Sequence, residues 1–389
     1  MKGGRESTRV RIVALGLRGM PGVIGGVETH CERLYPELAR LATDLRVDVV
    51  ARSAFVDRRR SFEFNGVRVR PLAAWGRGGG ETALHSLFAL LYARFALRAD
   101  IVHFHGIGPA FFTPLARLLG LTAVVTHHAA DFQRPKWGRA ARWFLRTGER
   151  MAARHAHRII CVSDAVRRDL VQRHPVCAPR ALVIRHGCSP PSLSRVERDR
   201  ALAALGLEPG RYILAVGRLE ETKRFHDLTA AHAAAPGAPQ LVIVGASIGD
   251  RAYEQRLRAA AGPDVRFLGY RAGRELDALY AGAGLFVHPS GMEGFGLVVL
   301  EAIAAGAPVR LSDIPPHREF GLPPCSYFRP GDVAALAASL RADVVPAEAR
   351  DGRAIAARHD LGAMVAAHAE LFRELAGRPA QRLPSAASS

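Results

Sequence analysis

The chain has 389 residues, 49% of them hydrophobic and 23% charged, a balance that excludes a disordered or fibrous polymer and gives enough length for two ordinary domains. Lys and Arg outnumber Asp and Glu by 54 to 36, a formal net charge of +18. That excess favours anionic partners such as nucleic acid, anionic lipid or phosphorylated substrates, although an Arg-rich composition also follows from a GC-rich genome. The five cysteines (Cys31, Cys161, Cys177, Cys188, Cys325) are scattered without a CxxC pair. Their odd number and spacing suit neither a disulfide framework nor a zinc site, so reduced thiols and a cytoplasmic location are expected. Met1 to Val10 shows no apolar signal segment, and the longest apolar run, Ala83 to Tyr92, is too short to span a bilayer and is followed by Arg94 and Arg98.

In chain order, Val10 to Leu17 reads as a largely buried strand, Arg18 to His30 as a glycine-rich loop, and the next stretch as a helix with Cys31, Leu34, Tyr35, Leu38 and Leu41 on one side. The loop lacks the GxGxxG fingerprint, so a dinucleotide site is not indicated. Val47 to Ser53 reads as a strand, Phe62 to Leu72 as a hairpin turning near Asn65-Gly66, and Glu81 to Leu97 as a helix. Ile101 to His105 and Ala123 to His127 read as strands around a helix at Pro109 to Leu119. Such β/α alternation predicts a parallel, doubly wound sheet, in which ligands collect beyond the carboxyl ends of the strands. Two of those ends are polar: His103-Phe-His105-Gly106, where the histidines read as structural, and Thr126-His127-His128-Ala-Ala-Asp131.

From Phe132 to Arg158 the chain is basic and aromatic: Arg142, Arg146, Arg150 and Arg154 lie among Trp137, Trp143 and Phe144, with Glu149 as the one acid after Asp131. Such a helix either lies on an anionic membrane with its aromatics at headgroup level or sends those aromatics into the core. Ile159 to Val162 is a strand, Ser163-Asp164 caps a helix Ala165 to Arg173, and Ala181 to Arg185 is a strand ending at His186-Gly187. Cys188 to Arg198 has the Pro/Ser composition of a linker. The alternation then restarts with strands at Tyr212 to Val216, Leu241 to Gly245, Val265 to Leu268, Leu285 to His288 and Val309 to Ser312. The expected helices start at Phe225 and cover Tyr253 to Ala261, Glu275 to Ala281, Leu297 to Ala305, Asp332 to Arg341 and Leu361 to Ala376.

The most informative stretch is Ser290 to Val309. A strand runs into a loop with Gly291, Gly294 and Gly296, and then into a helix ended by Gly306 and Pro308. Strand, glycine loop and helix N-terminus make an anion site, because free backbone N–H groups and the helix dipole point at the ligand. Glu293 and Glu301 bracket it, and Glu301 sits among apolar residues, where a charge needs a partner.

Glu293 and Glu301, seven residues apart around Gly-Phe-Gly-Leu, resemble the Glu-x7-Glu signature of retaining glycosyltransferases of family 4 with the GT-B fold, and the resemblance extends from Val10 to Ala376. It implies an α/β GT-B protein: two facing Rossmann-like doubly wound domains, an acceptor-side domain at 1–188 and a nucleotide-sugar-binding domain at 211–360. A linker at 189–210, a crossover helix at 361–376 and a disordered tail at 377–389 complete it. The implied reaction is metal-independent transfer of a hexosyl group from a UDP- or GDP-type sugar to a hydroxyl, with no cofactor beyond the nucleotide-sugar substrate. The absence of Asp-x-Asp, the metal clamp of the other large glycosyltransferase fold, agrees with the metal-free expectation.

Residue by residue, the resemblance assigns Arg218 and Lys223 to the donor diphosphate, Glu301 to the ribose, Glu293 to sugar hydroxyls, and the backbone of Gly294, Phe295, Gly296 and Leu297 to donor sugar and phosphate. Gly25 and Gly26 match the family's N-terminal glycine loop. His128, ahead of His127, matches the histidine close to the reacting sugar, with Asp131 near it. Three positions depart from the family: Ala129 stands where Gly or Asp follows the histidine, His186 where Asn precedes Gly187, and Arg224 where Gly follows the lysine. The Lys136-Trp137-Gly138 block resembles members that build bacterial surface polysaccharide, lipopolysaccharide or glycolipid. The implied partners are a saccharide or lipid-linked saccharide acceptor and an anionic membrane surface, with peripheral attachment. A GT-B epimerase would share the donor site without an acceptor. Nucleic acid is suggested by charge alone, with no recognition motif, and is not an expected partner.

Overall fold

The computed structural model describes residues 9–56, 60–74, 78–248, 251–341 and 352–379. The chain makes two compact units: one holds the described residues up to Gly187 and those from Leu361 on, and the other runs from Cys188 to Asp360. Residues 1–8 and most of the expected tail, 380–389, lie outside the described residues.

In the first unit β1 (Val10–Leu15), β2 (Leu45–Arg52), β3 (Phe62–Phe64), β4 (Val67–Leu72), β5 (Ile101–His105), β6 (Thr122–His127), β7 (Arg158–Cys161) and β8 (Ala181–Val183) form one sheet in the order 3-4-2-1-5-6-7-8. Neighbours run parallel except in the β3–β4 hairpin, which turns at Asn65 and Gly66 with φ of 46° and 80°. Positive φ at both residues suits a tight hairpin turn and the Asn-Gly pair. β5 is central and buried at every residue, so its two histidines must find partners inside the protein. The helix Gly26–Leu41 buries His30, Cys31, Leu34, Tyr35 and Leu38, three or four residues apart, against the sheet. The helix Leu361–Leu375 joins the same core through Met364, Val365, Ala369, Leu371 and Phe372, and Arg373 forks onto Asp44 at 2.9 and 2.6 Å. It ends at Gly377 (φ 66°), where the Arg378 amide donates to the Arg373 carbonyl at 2.9 Å.

The second unit carries β9 (Tyr212–Val216), β10 (Gln240–Val244), β11 (Val265–Gly269), β12 (Leu285–His288), β13 (Val309–Ser312) and β14 (Tyr327–Phe328), all parallel, in the order 11-10-9-12-13-14. The stretch read as a linker differs from its composition. Its Pro/Ser run ends at Ser194, which opens a helix, Arg195–Ala204, through a capping box with Glu197, and that helix belongs to the second unit. The helix expected at Pro109 to Leu119 is split into a 3-10 turn, Pro109–Phe112, and an α-helix, Thr113–Leu118. Pro114 lacks an N–H and fits a first helical turn rather than a helix interior.

Candidate functional site

In the second unit the assigned donor residues leave two strand ends. From β9 the chain passes through Gly217 and Arg218 to a 3-10 turn, Glu221–Lys223. A Cβ on Gly245, after β10, would overlap the Gly217 carbonyl, so these two loops pack backbone to backbone. Lys223 Nζ reaches Glu293 Oε1 at 2.5 Å, and His288 Nε2, at the end of β12, donates to the same oxygen at 2.6 Å. Burial alone would raise the Glu293 pKa, but Lys223 and the His288 hydrogen bond hold it well below the usual carboxylate range. Arg218 lies 3.6 Å from Glu220 and is partly exposed.

Gly296, at φ 103°, caps the helix Leu297–Ala304. The helix start leaves first-turn amides without intrahelical acceptors. Phe295 is buried, packing edge-on against Phe320 and His359, so only its backbone is placed to meet a ligand. Glu301, the charge in the apolar helix, accepts from Tyr280 Oη at 2.8 Å. Arg224 adopts the left-handed conformation, φ 53°, a backbone that glycine takes without strain, and pairs with Asp227 at 2.6 Å. That accounts for the family's glycine at this position.

Sequence reasoning missed His288 and His317. With Glu293 they place one potential metal-ligand atom each within 4.8 Å of one another. His317 Nδ1 donates to the Ser312 carbonyl at 2.8 Å, leaving Nε2 with a buried lone pair. The Lys223 ammonium already sits on the shared carboxylate, so the group as arranged holds a cation of its own.

In the first unit Gly25 (φ 153°) caps the helix Gly26–Leu41; a Cβ there would overlap the Arg18–Glu28 ion pair, whereas one on Gly26 meets nothing within 4 Å. His127 and His128 part ways. His127 is buried against Glu149 at 2.7 Å, and Glu149 also takes Arg173 at 2.9 Å and His174 at 3.2 Å. Burial opposes ionisation of Glu149, yet His127 and Arg173 bring it down to about 2. This is a structural knot. His128 is partly exposed, with Nε2 3.2 Å from His105 Nδ1, and its rings neighbour those of His30 and His186. Burial lowers its pKa to about 4 against the pull of Asp131, so it is neutral at pH 7. Asp131 itself pairs with Arg134 at 2.7 Å. His103 and His105, read as structural, prove to be hydrogen-bonded through Tyr35 at 2.9 and 2.5 Å. His186, at the Asn position, meets His30 Nδ1 at 2.9 Å.

On the helix Arg139–His155, Arg139, Trp143, Arg146, Arg150 and Arg154 are exposed at the spacing of one helix face, with Trp143 64% exposed. Phe144 instead stacks on Phe111 at 4.8 Å, so the two aromatics divide between solvent and protein. No helix among the described residues is long and apolar enough to cross a membrane.

Comparison with known proteins adds the lineage. Residues 24–190 match Glycosyltransferase Family 4 and residues 197–339 match Glycosyl transferases group 1. The chain is 33% identical over 262 residues to a GDP-mannose-dependent alpha-mannosyltransferase of Mycobacterium tuberculosis (strain CDC 1551 / Oshkosh), covering 62% of this chain and 64% of that one. It is 29% identical over 190 residues to O-antigen chain mannosyltransferase B of Escherichia coli, covering 47% and 50%. The alignments thus span less than two thirds of either relative. In fold it resembles Anabaena HepE, solved in complex with UDP and glucose: TM-score 0.76, 21% identity, 94% of this chain and 100% of that one.

Proposed function

The chain belongs to the GT-B glycosyltransferases of family 4 type, and from that premise we propose that it moves a sugar from a UDP- or GDP-type donor to a hydroxyl of a saccharide or lipid-linked saccharide. Transfer retains the anomeric configuration, needs no metal, and serves bacterial surface polysaccharide or glycolipid synthesis. The observation that carries this reading is the largely buried Lys223–Glu293 pair beside the glycine-capped helix Leu297–Ala304. A fixed cation and first-turn amides stabilise negative charge as a diphosphate departs, and they do so without reorganising. Arg218 shares that task, and its partial exposure leaves it able to turn to a ligand.

Glu301, held by Tyr280, accepts from ribose hydroxyls. Glu293, kept ionised, accepts from sugar hydroxyls, and the amides of Gly294, Phe295, Gly296 and Leu297 meet donor sugar and phosphate. Gly25 and Gly26 let backbone approach a ligand in the first unit, where His128, with Asp131 beside it, orients a saccharide hydroxyl. The exposed Arg139–Arg154 face with Trp143 supports peripheral contact with anionic lipid on the cytoplasmic face of the membrane.

The test is a thermal-shift and calorimetry panel of UDP-, GDP-, ADP- and dTDP-sugars on wild type and Glu301→Ala. One nucleotide class is expected to stabilise the wild type by mass action, with affinity falling about tenfold in the variant. No shift with any nucleotide, and a variant like wild type, would remove the donor site. For the membrane contact, partition onto anionic vesicles that weakens with salt is expected, and equal partition onto neutral vesicles counts against it.

A further inference from the structure

Behind His128 lies an unbroken line of buried polar groups that the proposed transfer does not itself require. Thr126 Oγ1 is 2.7 Å from His103 Nε2, His103 Nδ1 is 2.9 Å from Tyr35 Oη, Tyr35 Oη is 2.5 Å from His105 Nε2, and His105 Nδ1 is 3.2 Å from His128 Nε2. The line threads β6, β5, the helix Gly26–Leu41 and β5 again before it reaches the end of β6. Thr126, His103, Tyr35 and His105 are buried, and burial pushes both histidines well below their ordinary pKa and Tyr35 well above its own. All four groups are therefore neutral at pH 7. A neutral imidazole has one donor and one acceptor nitrogen, and a phenol has one hydrogen. Each link then needs one donor and one acceptor, and the whole line can point in only two directions.

The Thr126 hydroxyl decides between them. Among the described residues its side chain has one hydrogen-bond partner, His103 Nε2. If His103 donated to Thr126, the buried hydroxyl hydrogen would be left without an acceptor, which protein interiors avoid. Thr126 therefore donates to His103 Nε2, His103 Nδ1–H donates to Tyr35, Tyr35 donates to His105 Nε2, and His105 Nδ1–H donates to His128 Nε2. The remaining proton of His128 is on Nδ1.

From this geometry we infer that Thr126, His103, Tyr35 and His105 act as positioning residues that fix His128 in the Nδ1–H tautomer, so that His128 presents a hydrogen-bond donor, and not a base, to a ligand hydroxyl. The ligand side of this inference rests on the reading of His128 given above; the tautomer does not. The charged and titratable groups facing His128 are Glu28 and His30 from the helix Gly26–Leu41, His105 from β5, His127 and Asp131 from its own segment, His186 beyond β8, and His368 from the helix Leu361–Leu375. His128 Nδ1 makes no hydrogen bond to any described residue, so of these groups His105, through His128 Nε2, is the one that sets where the His128 proton sits.

The experiment is long-range proton–nitrogen NMR on full-length protein labelled with 15N-histidine at pH 7. Wild-type His128 is expected with its proton on Nδ1. In Tyr35→Phe and, separately, Thr126→Val, the bias is expected to relax to a mixture with Nε2–H. A wild-type His128 protonated on Nε2 overturns the inference, as does a bias unchanged in both variants. The wild-type measurement decides even if a variant fails to fold.

Kinetics with the donor that the nucleotide panel identifies give a second arm. His128→Asn keeps an N–H near the Nδ1 position and is expected within about tenfold of wild-type kcat, whereas His128→Gln loses about a hundredfold. Tyr35→Phe is expected to lower kcat about tenfold with donor KM within about twofold. If His128→Ala transfers sugar like wild type while the tautomer bias holds, the role of His128 in transfer falls and the positioning line stands.

Discussion

The two candidate sites bury polar groups in different proportions. Around Glu293 the second unit keeps charge: a lysine and a hydrogen-bonded histidine share one carboxylate oxygen. Around His128 the first unit keeps neutrality: His30, His103, His105, His128 and His368 all have pKa values pushed down chiefly by burial. A charged cluster suits an anionic diphosphate, whose own charge replaces lost solvation. A neutral, directionally hydrogen-bonded cluster suits hydroxyl groups, which need a placed donor or acceptor and no net charge. Glu149 shows that ionisation alone does not mark function: it too is held ionised in the interior, yet its partners leave no side open to a ligand.

Acid should break the comparison most strongly. A histidine neutral in the fold but titrating near 6.5 when unfolded gives stability that is complete above pH 6.5 and declines as pH falls through 6.5 toward the folded value, which is about 4 for His128 and His368. Each such histidine costs about 1 kcal/mol between pH 6.5 and 5.5, several kcal/mol for the five together, whereas the second unit has two of the kind at its site, His288 and His317, so its loss is smaller and not absent. Glu293 and Glu149 act only lower, because a depressed carboxylate gives stability present above about 4.5 and lost below it. Hydrogen exchange followed from pH 7 to 5 is expected to show β5 and the helix Gly26–Leu41 losing protection before β9 and β12. Equal loss in both sheets would mean that the two clusters do not differ as described.

Removing the lysine is the next largest effect. Lys223→Met leaves the largely buried Glu293 with His288 as its remaining hydrogen-bond donor, and breaking a fully buried pair from one side costs about 3–5 kcal/mol, an upper bound for this pair. Lys223→Met with Glu293→Gln removes the charge as well and is expected to recover most of that stability in urea unfolding, while donor binding stays lost. Recovery of both would show the pair to be structural, on the model of Glu149 and Arg173.

Much of this was legible in the sequence, and the exceptions share a cause. The strand–loop–helix around Glu293 and Glu301 is local, so spacing and glycines disclose it. Tyr35 was read as one more apolar-face residue of its helix, because its partners His103 and His105 lie 68 and 70 residues away and only sheet order brings them together. His317 belongs to a four-residue helix, Pro315–Arg318, with no pattern to announce it. Ser194 and Glu197 are a readable capping box that the preceding Pro/Ser run obscured.

Arg224 gives the smallest and most balanced effect. Its left-handed backbone costs about 1 kcal/mol that glycine would not incur. Against this stand the partly exposed pair with Asp227, about 0.5 kcal/mol, and the greater unfolded-state freedom of glycine, of similar size. Arg224→Gly is therefore expected within about 1 kcal/mol of wild type in urea unfolding, whereas Arg224→Val combines strain with the lost pair and is expected to be clearly destabilised. The arginine also lies across Gly291 and Gly331, where added Cβ atoms would come within 3.0 and 2.9 Å of its side chain. If Arg224→Gly leaves stability unchanged but weakens nucleotide binding, Arg224 belongs to the charged cluster as a third cation beside Lys223 and Arg218. If neither changes, the departure from glycine is neutral, and the contrast between the units rests on Lys223 and Glu293.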